Sequence, residues 1–198
     1  MTKIKICGLT RDCDIDFANE IMPEFIGFVF AQDSKRYVDP KKAADLRWKL
    51  DYRIAAVGVF VDEKPELIAE LAEKQVIDLI QLHGNESNEY ISSLRSMVEI
   101  PIIKAFTVNS AEDVRSAEFS DADFVLLDSG KGSGVTFDHR LISNIRRPYF
   151  LAGGITPANA GNALENLHPY AIDASSGLET NGFKDPEKMR SFVDAIRI

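Results

Sequence analysis

The chain has 198 residues, 45% hydrophobic and 27% charged, with 23 basic against 31 acidic side chains for a formal net charge of −8. This ordinary globular composition excludes a disordered, collagenous or low-complexity chain. The acidic balance excludes default binding to nucleic acid or to an anionic membrane, so an anionic ligand must be attracted by a few local groups against the overall field.

Only Cys7 and Cys13 are present. Two cysteines make neither a disulfide framework nor a metal-ligand spacing, which favours a reducing, cytoplasmic location. The first seven residues, Met-Thr-Lys-Ile-Lys-Ile-Cys, lack the apolar core of a signal peptide. The longest charge-free run, Pro148–Leu164, is broken by Pro157 and by glycines and is no membrane span.

In chain order, short apolar runs rich in Ile, Val, Phe and Leu alternate with amphipathic stretches. A strand over Lys3–Cys7 precedes a helix over Arg11–Ile21, where Ile15, Ala18 and Ile21 share a face. A strand over Phe25–Phe30 precedes a helix over Pro40–Leu50, opened by Asp39 as cap and Pro40 in the first turn. The strand Ile54–Val61 leads to a helix over Pro65–Lys74, and the strand Asp78–Leu82 to a helix over Glu86–Met97. The strand Ile100–Phe106 leads to a helix over Ser110–Ala117 with a Ser-x-x-Asp cap signal. The strand Phe124–Asp128 is followed by a helix over Asp138–Ile145. The strands Tyr149–Ala152 and Ala171–Ala174 precede helices opened by Pro157 and Pro186, which run to Leu167 and Ile196. Trp48 and the other aromatics read as core, and Cys13, inside the first helix, as structural.

The strands mostly lack polar alternation, the pattern of parallel strands buried on both faces. Strict strand–helix alternation demands a parallel sheet. Eight units in 198 residues leave about 25 residues each, near the lower bound of about 200 for a (β/α)8 barrel. An open doubly wound sheet usually has fewer strands and a G-x-G-x-x-G turn after the first; here that turn is Cys7-Gly8-Leu9-Thr10. Residues 1–198 therefore read as one (β/α)8 catalytic domain of near-minimal length.

A barrel of this kind carries its site at the C-terminal ends of the strands. Gly153-Gly154 follow the seventh strand and Ser175-Ser176-Gly177 the eighth, the recurrent phosphate position of the fold. Either loop alone is as well explained by a tight turn; both together favour phosphate. Gly130-Lys131-Gly132-Ser133-Gly134 is either a flexible segment or a flap over the ligand's sugar-phosphate end. Cys7 and Asp128 end the first and sixth strands. Taken alone they read equally as a buried structural cysteine and a loop cap. Together they are a plausible acid–base pair, with the thiol lowered in pKa and the carboxyl kept protonated by burial. Arg36, ordinarily a solvated charge, is also the natural clamp for a carboxylate. His83 could equally be a satisfied core residue. With no metal cluster or dinucleotide signature, a cofactor-free isomerisation of a phosphorylated sugar derivative follows.

The residues also resemble a known family. Lys5-Ile6-Cys7-Gly8-Leu9-Thr10, Ser34-Lys35-Arg36-Tyr37-Val38, Val59-Phe60-Val61, Gln81-Leu82-His83-Gly84 and Leu127-Asp128 are similar to motifs of phosphoribosylanthranilate isomerases. So are Gly132-Ser133-Gly134 with Phe137-Asp138, Leu151-Ala152-Gly153-Gly154-Ile155 and Asp173-Ala174-Ser175-Ser176-Gly177-Leu178-Glu179. The resemblance spans the chain in order. It implies a cofactor-free Amadori rearrangement of N-(5-phosphoribosyl)anthranilate to 1-(o-carboxyphenylamino)-1-deoxyribulose 5-phosphate in tryptophan biosynthesis. It further implies Asp128 as general acid, Cys7 as general base and Arg36 on the anthranilate carboxylate. Gly153, Gly154, Ser176 and Gly177 would hold phosphate, with Gln81, His83 and Asp173 lining the site. Such proteins are monomers or homodimers acting on a small phosphorylated substrate, with neither nucleic acid nor membrane as partner. Two positions depart from the family's pattern: Lys35 stands where proline is common, and His139 where tryptophan is.

Three rival readings remain. The histidine-pathway isomerase of the same chemistry carries aspartate where Cys7 stands and has twofold repeat symmetry. Ribulose-phosphate epimerases need a His/Asp metal set. A non-catalytic phosphometabolite-binding barrel would bind ligand without turnover.

Overall fold

A computed structural model describes residues 1–128, 139–142 and 145–197. The elements run β1 (Lys3–Cys7), α1 (Asp12–Ile21), β2 (Phe25–Val29), α2 (Pro40–Lys49), β3 (Ala55–Phe60), α3 (Pro65–Glu73), β4 (Leu79–Leu82) and α4 (Asn88–Arg95). They continue with β5 (Ile102–Thr107), α5 (Ala111–Glu118), β6 (Phe124–Asp128), α6 (His139–Ile142), β7 (Tyr149–Ala152), α7 (Pro157–Leu167) and β8 (Ala171–Ala174). A 3₁₀ turn (Ser176–Leu178), a small hairpin of β9 (Glu179–Thr180) and β10 (Phe183–Lys184), and α8 (Pro186–Asp194) follow. β1 to β8 form a closed parallel barrel in sequential order. It closes where Lys3, Ile4, Lys5 and Ile6 pair with Ala171, Ile172, Asp173 and Ala174.

All eight expected units are found, with ends shifted by a few residues. One such shift is at α4, expected from Glu86 but starting at Asn88. Ser87 is the cap, its hydroxyl accepting from Tyr90 N at 3.3 Å, while Glu86 is drawn into the preceding loop by backbone amides of Asp62 and Gly84. Asp39 and Asp185 cap α2 and α8, each accepting from two backbone amides of the first turn. The glycine-rich stretch 130–134 and Phe137-Asp138 lie outside the described residues, as does the side chain of His139. The helix expected over Asp138–Ile145 is described at His139–Ile142.

Both faces of the sheet are buried, as the unalternated strands require. Outward-facing Ile4, Ile6, Ile26, Phe28, Ile80 and Leu127 pack under the helices against Ile15, Leu46, Ile68, Ile91 and Phe192. Inward-facing Phe25, Val57, Leu79, Ile103, Leu126, Phe150 and Ala171 fill the barrel. Each of these side chains larger than alanine contributes about 1.5–3 kcal/mol on burial. Phe150 sits among the rings of Phe25, Phe124 and Tyr170, with centroids 5.4, 5.8 and 5.7 Å away. Lys3 Nζ lies 4.7 Å from the Tyr170 ring centre and donates to its hydroxyl. These groups close the floor at the N-terminal ends of the strands. Among the described residues, no helix is long and apolar enough to cross a membrane.

Trp48 corrects the expectation that it is core: it is 91% exposed. The buried stripe of α2 is Ala43 and Leu46, and Trp48, two positions beyond Leu46, points to the opposite side. Tyr52, Phe119 and Phe183 are likewise exposed. Trp48 is the only tryptophan. Its fluorescence should therefore be quenched by an aqueous quencher nearly as efficiently in the folded protein as in denaturant; strong protection in the folded state would refute its outward placement.

Candidate active site

The C-terminal ends of the strands enclose a cavity of about 330 Å³. Cys7, Arg36, Gln81, His83, Asp128, Gly153, Gly154, Asp173 and Ser176 all line it. Gly177 lies behind this wall: a Cβ there would sit 2.0 Å from the carbonyl oxygen of Ile155. Its lack of a side chain lets the 3₁₀ turn after β8 pack against the loop after β7, bringing the two expected phosphate loops together. Gly153 and Gly154 have φ of 93° and 61°, the left-handed region that glycine enters without cost. Asn159 braces this corner, accepting from Thr156 N and donating to the Gly154 carbonyl, at the positive end of α7.

Cys7 is 8% exposed and packs against Val29 and Val59. Gly27 of β2 makes room for it, since a Cβ there would lie 2.7 Å from Sγ. The thiol was expected to be lowered in pKa; burial instead pushes it above its ordinary value. The nearby Lys5 ammonium opposes that rise most, with Lys184 helping and Asp173 adding to it. Apolar walls around the sulfur outweigh the cations, an outcome decided by tertiary packing and invisible in local spacing.

Lys5, fully buried two residues before Cys7 on the same face of β1, donates to Asp173 Oδ2 at 2.9 Å. Burial alone would drive its proton off, but Asp173 and the Cys7 sulfur more than offset this, and its pKa is raised.

Arg36 does not stand as a vacant clamp. It forms a fork with Glu179, Nε to Oε1 at 2.6 Å and an Nη to Oε2 at 2.8 Å, which raises its own pKa. Lys184 Nζ reaches the same Oε1 at 2.6 Å and the Ser175 carbonyl at 3.1 Å. Despite its burial, Glu179 is held below its usual pKa by Arg36 and Lys184, while burial pulls Lys184 down. Two of the five guanidinium N–H groups face Glu179, leaving the end-on edge for a second acceptor. Gly8, with φ of 84°, accommodates the stem: a Cβ there would lie 2.4 Å from Arg36 Cδ. Lys35 is exposed.

On the other wall, Gln81 Nε2 lies 2.9 Å from His83 Nδ1, and His83 Nε2 lies 3.8 Å from Asp128 Oδ2. Burial lowers the His83 pKa, so the ring is neutral at pH 7. With Nδ1 accepting from the amide, its proton lies on Nε2, toward Asp128. The burial expected of Asp128 is incomplete; its side chain is 25% exposed. Gln81 Oε1 and Asp173 Oδ1 are buried without a hydrogen-bond partner among the described residues.

Lys5, Glu179 and Lys184 went unrecognised as site residues in the sequence. Lys5 had a usable signal, a lysine inside an apolar strand two residues from the cysteine. Glu179 and Lys184 had another: Asn181-Gly182 between them marks a two-residue hairpin. Both turn residues have positive φ, and the hairpin sets Lys184 opposite Glu179.

Known proteins match both chain and fold. The family model for N-(5'phosphoribosyl)anthranilate (PRA) isomerase matches residues 4–195. An N-(5'-phosphoribosyl)anthranilate isomerase of Endomicrobium trichonymphae is 44% identical over 202 residues, covering 100% of this chain and 99% of that protein. The phosphoribosyl anthranilate isomerase from Thermotoga maritima superposes with a TM-score of 0.91 at 35% identity, covering 100% of this chain and 99% of that one. A phosphoribosyl anthranilate isomerase solved with reduced 1-(o-carboxyphenylamino)-1-deoxyribulose 5-phosphate superposes with a TM-score of 0.88 at 34% identity, with the same coverage. The chain belongs to the N-(5'-phosphoribosyl)anthranilate isomerase family and is an isomerase of tryptophan biosynthesis on a (β/α)8 barrel.

Proposed function

We propose that this chain, as one catalytic domain, performs the Amadori rearrangement of N-(5-phosphoribosyl)anthranilate with Asp128 as general acid and Cys7 as general base. The observation that carries this reading is the shared cavity. Cys7 and Asp128 open into one space bounded by Arg36 and by the paired loops after β7 and β8.

The substrate is an anion at both ends. Its phosphate sits against Gly153, Gly154 and Ser176, with Gly177 packed behind them, where backbone amides and the positive end of α7 take the charge. Its carboxylate meets the end-on edge of Arg36, whose other edge Glu179 fixes. Gln81 Oε1 and Asp173 Oδ1 accept from sugar hydroxyls, satisfying two buried oxygens. Asp128 gives a proton to the ring oxygen, the C1–O bond breaks, and a protonated Schiff base forms between C1 and the anthranilate nitrogen. Cys7 then takes the proton from C2. The C2–H pair becomes the C1–C2 double bond, and the C1–N π pair returns to nitrogen. The resulting enolamine regains a proton at C1 as the C2 hydroxyl gives one up, which yields the ketone. Atoms and electrons balance with no cofactor. A thiol used as a base needs a reducing compartment, consistent with cytoplasm and with two free cysteines.

The test is the loss of phosphoribosylanthranilate fluorescence on conversion. Binding without loss of signal would mean a ligand-binding barrel. Cys7→Ser and Asp128→Asn should each lower kcat about 10²–10⁴-fold while still binding ligand; near-parental turnover in either removes its role. Arg36→Ala should raise KM about 10- to 100-fold with a smaller change in kcat, the value of charged hydrogen bonds made in ground and transition states alike. Because the thiol lies above its usual pKa, the thiolate fraction grows as pH rises through neutrality. The rate at which iodoacetamide alkylates Cys7 in a Cys13→Ser variant should therefore climb about tenfold per pH unit there; a flat profile would contradict a thiol held above its usual pKa.

A further inference from the structure

Lys5 is the residue least explained by folding alone. It is 0% exposed and lies inside the barrel among apolar side chains. Replacing a buried ion pair by apolar residues is often neutral or stabilising, so stability does not account for the Lys5–Asp173 pair. Its position does suggest a use. Parallel pairing sets Lys5 opposite Asp173, and strand alternation puts Lys5 one layer beneath Cys7. The charged groups acting on the sulfur are Lys5 from β1, Asp173 from β8, Lys184 from β10 and Arg36 from the β2–α2 loop, with Glu179 joining the last two. Three cations and two carboxylates sum to one uncompensated positive charge around Cys7. A thiolate would neutralise it. Lys184 and Arg36 converge on Glu179, which leaves Lys5 as the cation that the sheet itself holds next to the sulfur.

We propose that Lys5 is a positioning residue for Cys7: an ammonium pinned by Asp173 at the floor of the site, it lets the buried sulfur carry negative charge while it removes the substrate's C2 proton. This rests on Cys7 being the base. Lys5 transfers nothing and keeps its three N–H bonds; the proton moves from C2 to Sγ.

A Cys13→Ser background leaves Cys7 as the sole thiol. In it, the ultraviolet thiolate absorbance and the iodoacetamide alkylation rate are followed against pH. Lys5→Met should move the thiolate titration upward by about one pH unit or more, tenfold less thiolate at a given pH. kcat/KM at a given pH should fall with it and KM should change little. Lys5→Arg should recover part of the shift. If Lys5→Met unfolds because Asp173 is left unpaired, Lys5→Met/Asp173→Asn removes both charges and should still show an upward shift, smaller because the loss of the Asp173 carboxylate favours the thiolate. A thiolate titration that stays put in a folded Lys5 variant overturns the proposal, whatever happens to turnover. Cys7→Ser separates the two readings. If it retains turnover, the base assignment fails and takes the role of Lys5 with it. If it is inactive while Lys5→Met leaves the thiolate unmoved, only the role of Lys5 fails.

Discussion

Closure of the sheet between β1 and β8 is the constraint on which the site depends. Pairing Lys3–Ile6 with Ala171–Ala174 joins strands about 170 positions apart in sequence. It sets Lys5 against Asp173 and brings the Ser175 hydroxyl to the Cys7 carbonyl at 2.9 Å. The sulfur, the loop after β8 and the hairpin carrying Glu179 and Lys184 thus share a single seam. Loosening that seam would displace Cys7, the loop after β8 and the Arg36–Glu179 pair together.

The architecture was legible because its signals are local and repeated. Apolar runs such as Val57–Phe60 and Val125–Leu127 show burial on both faces, and Asp39-Pro40 and Asp185-Pro186 mark helix starts through backbone chemistry. The cavity at the strand ends was legible for a related reason: the end of each strand points to one rim, so Cys7, His83, Asp128 and Asp173 could be gathered without knowing a distance. What could not be read was what each group meets there. Arg36 meets Glu179, 143 positions away, and the thiol meets Val29 and Val59. Trp48 misled because aromatic character suggests burial, whereas the apolar stripe of α2 had already been filled by Ala43 and Leu46.

The acidic surface and the anionic substrate are reconciled by concentration of charge. Lys5, Arg36 and Lys184 lie on the β1–β2 and β8 side of the cavity, and the glycine loops offer backbone dipoles in place of further cations. Glu179 tempers this cluster. By occupying one edge of Arg36 it orients the guanidinium, so an acceptor at the other edge would cost less side-chain entropy.

The aromatic floor has its own consequence for traffic through the enzyme. With Phe25, Phe124, Phe150 and Tyr170 packed across the base, the strand C-terminal mouth serves as both entrance and exit. Substrate and product, each with a phosphate and a carboxylate, must use the same doorway and the same cavity. A lingering product therefore excludes the next substrate outright, which makes competitive product inhibition a property of the barrel's geometry.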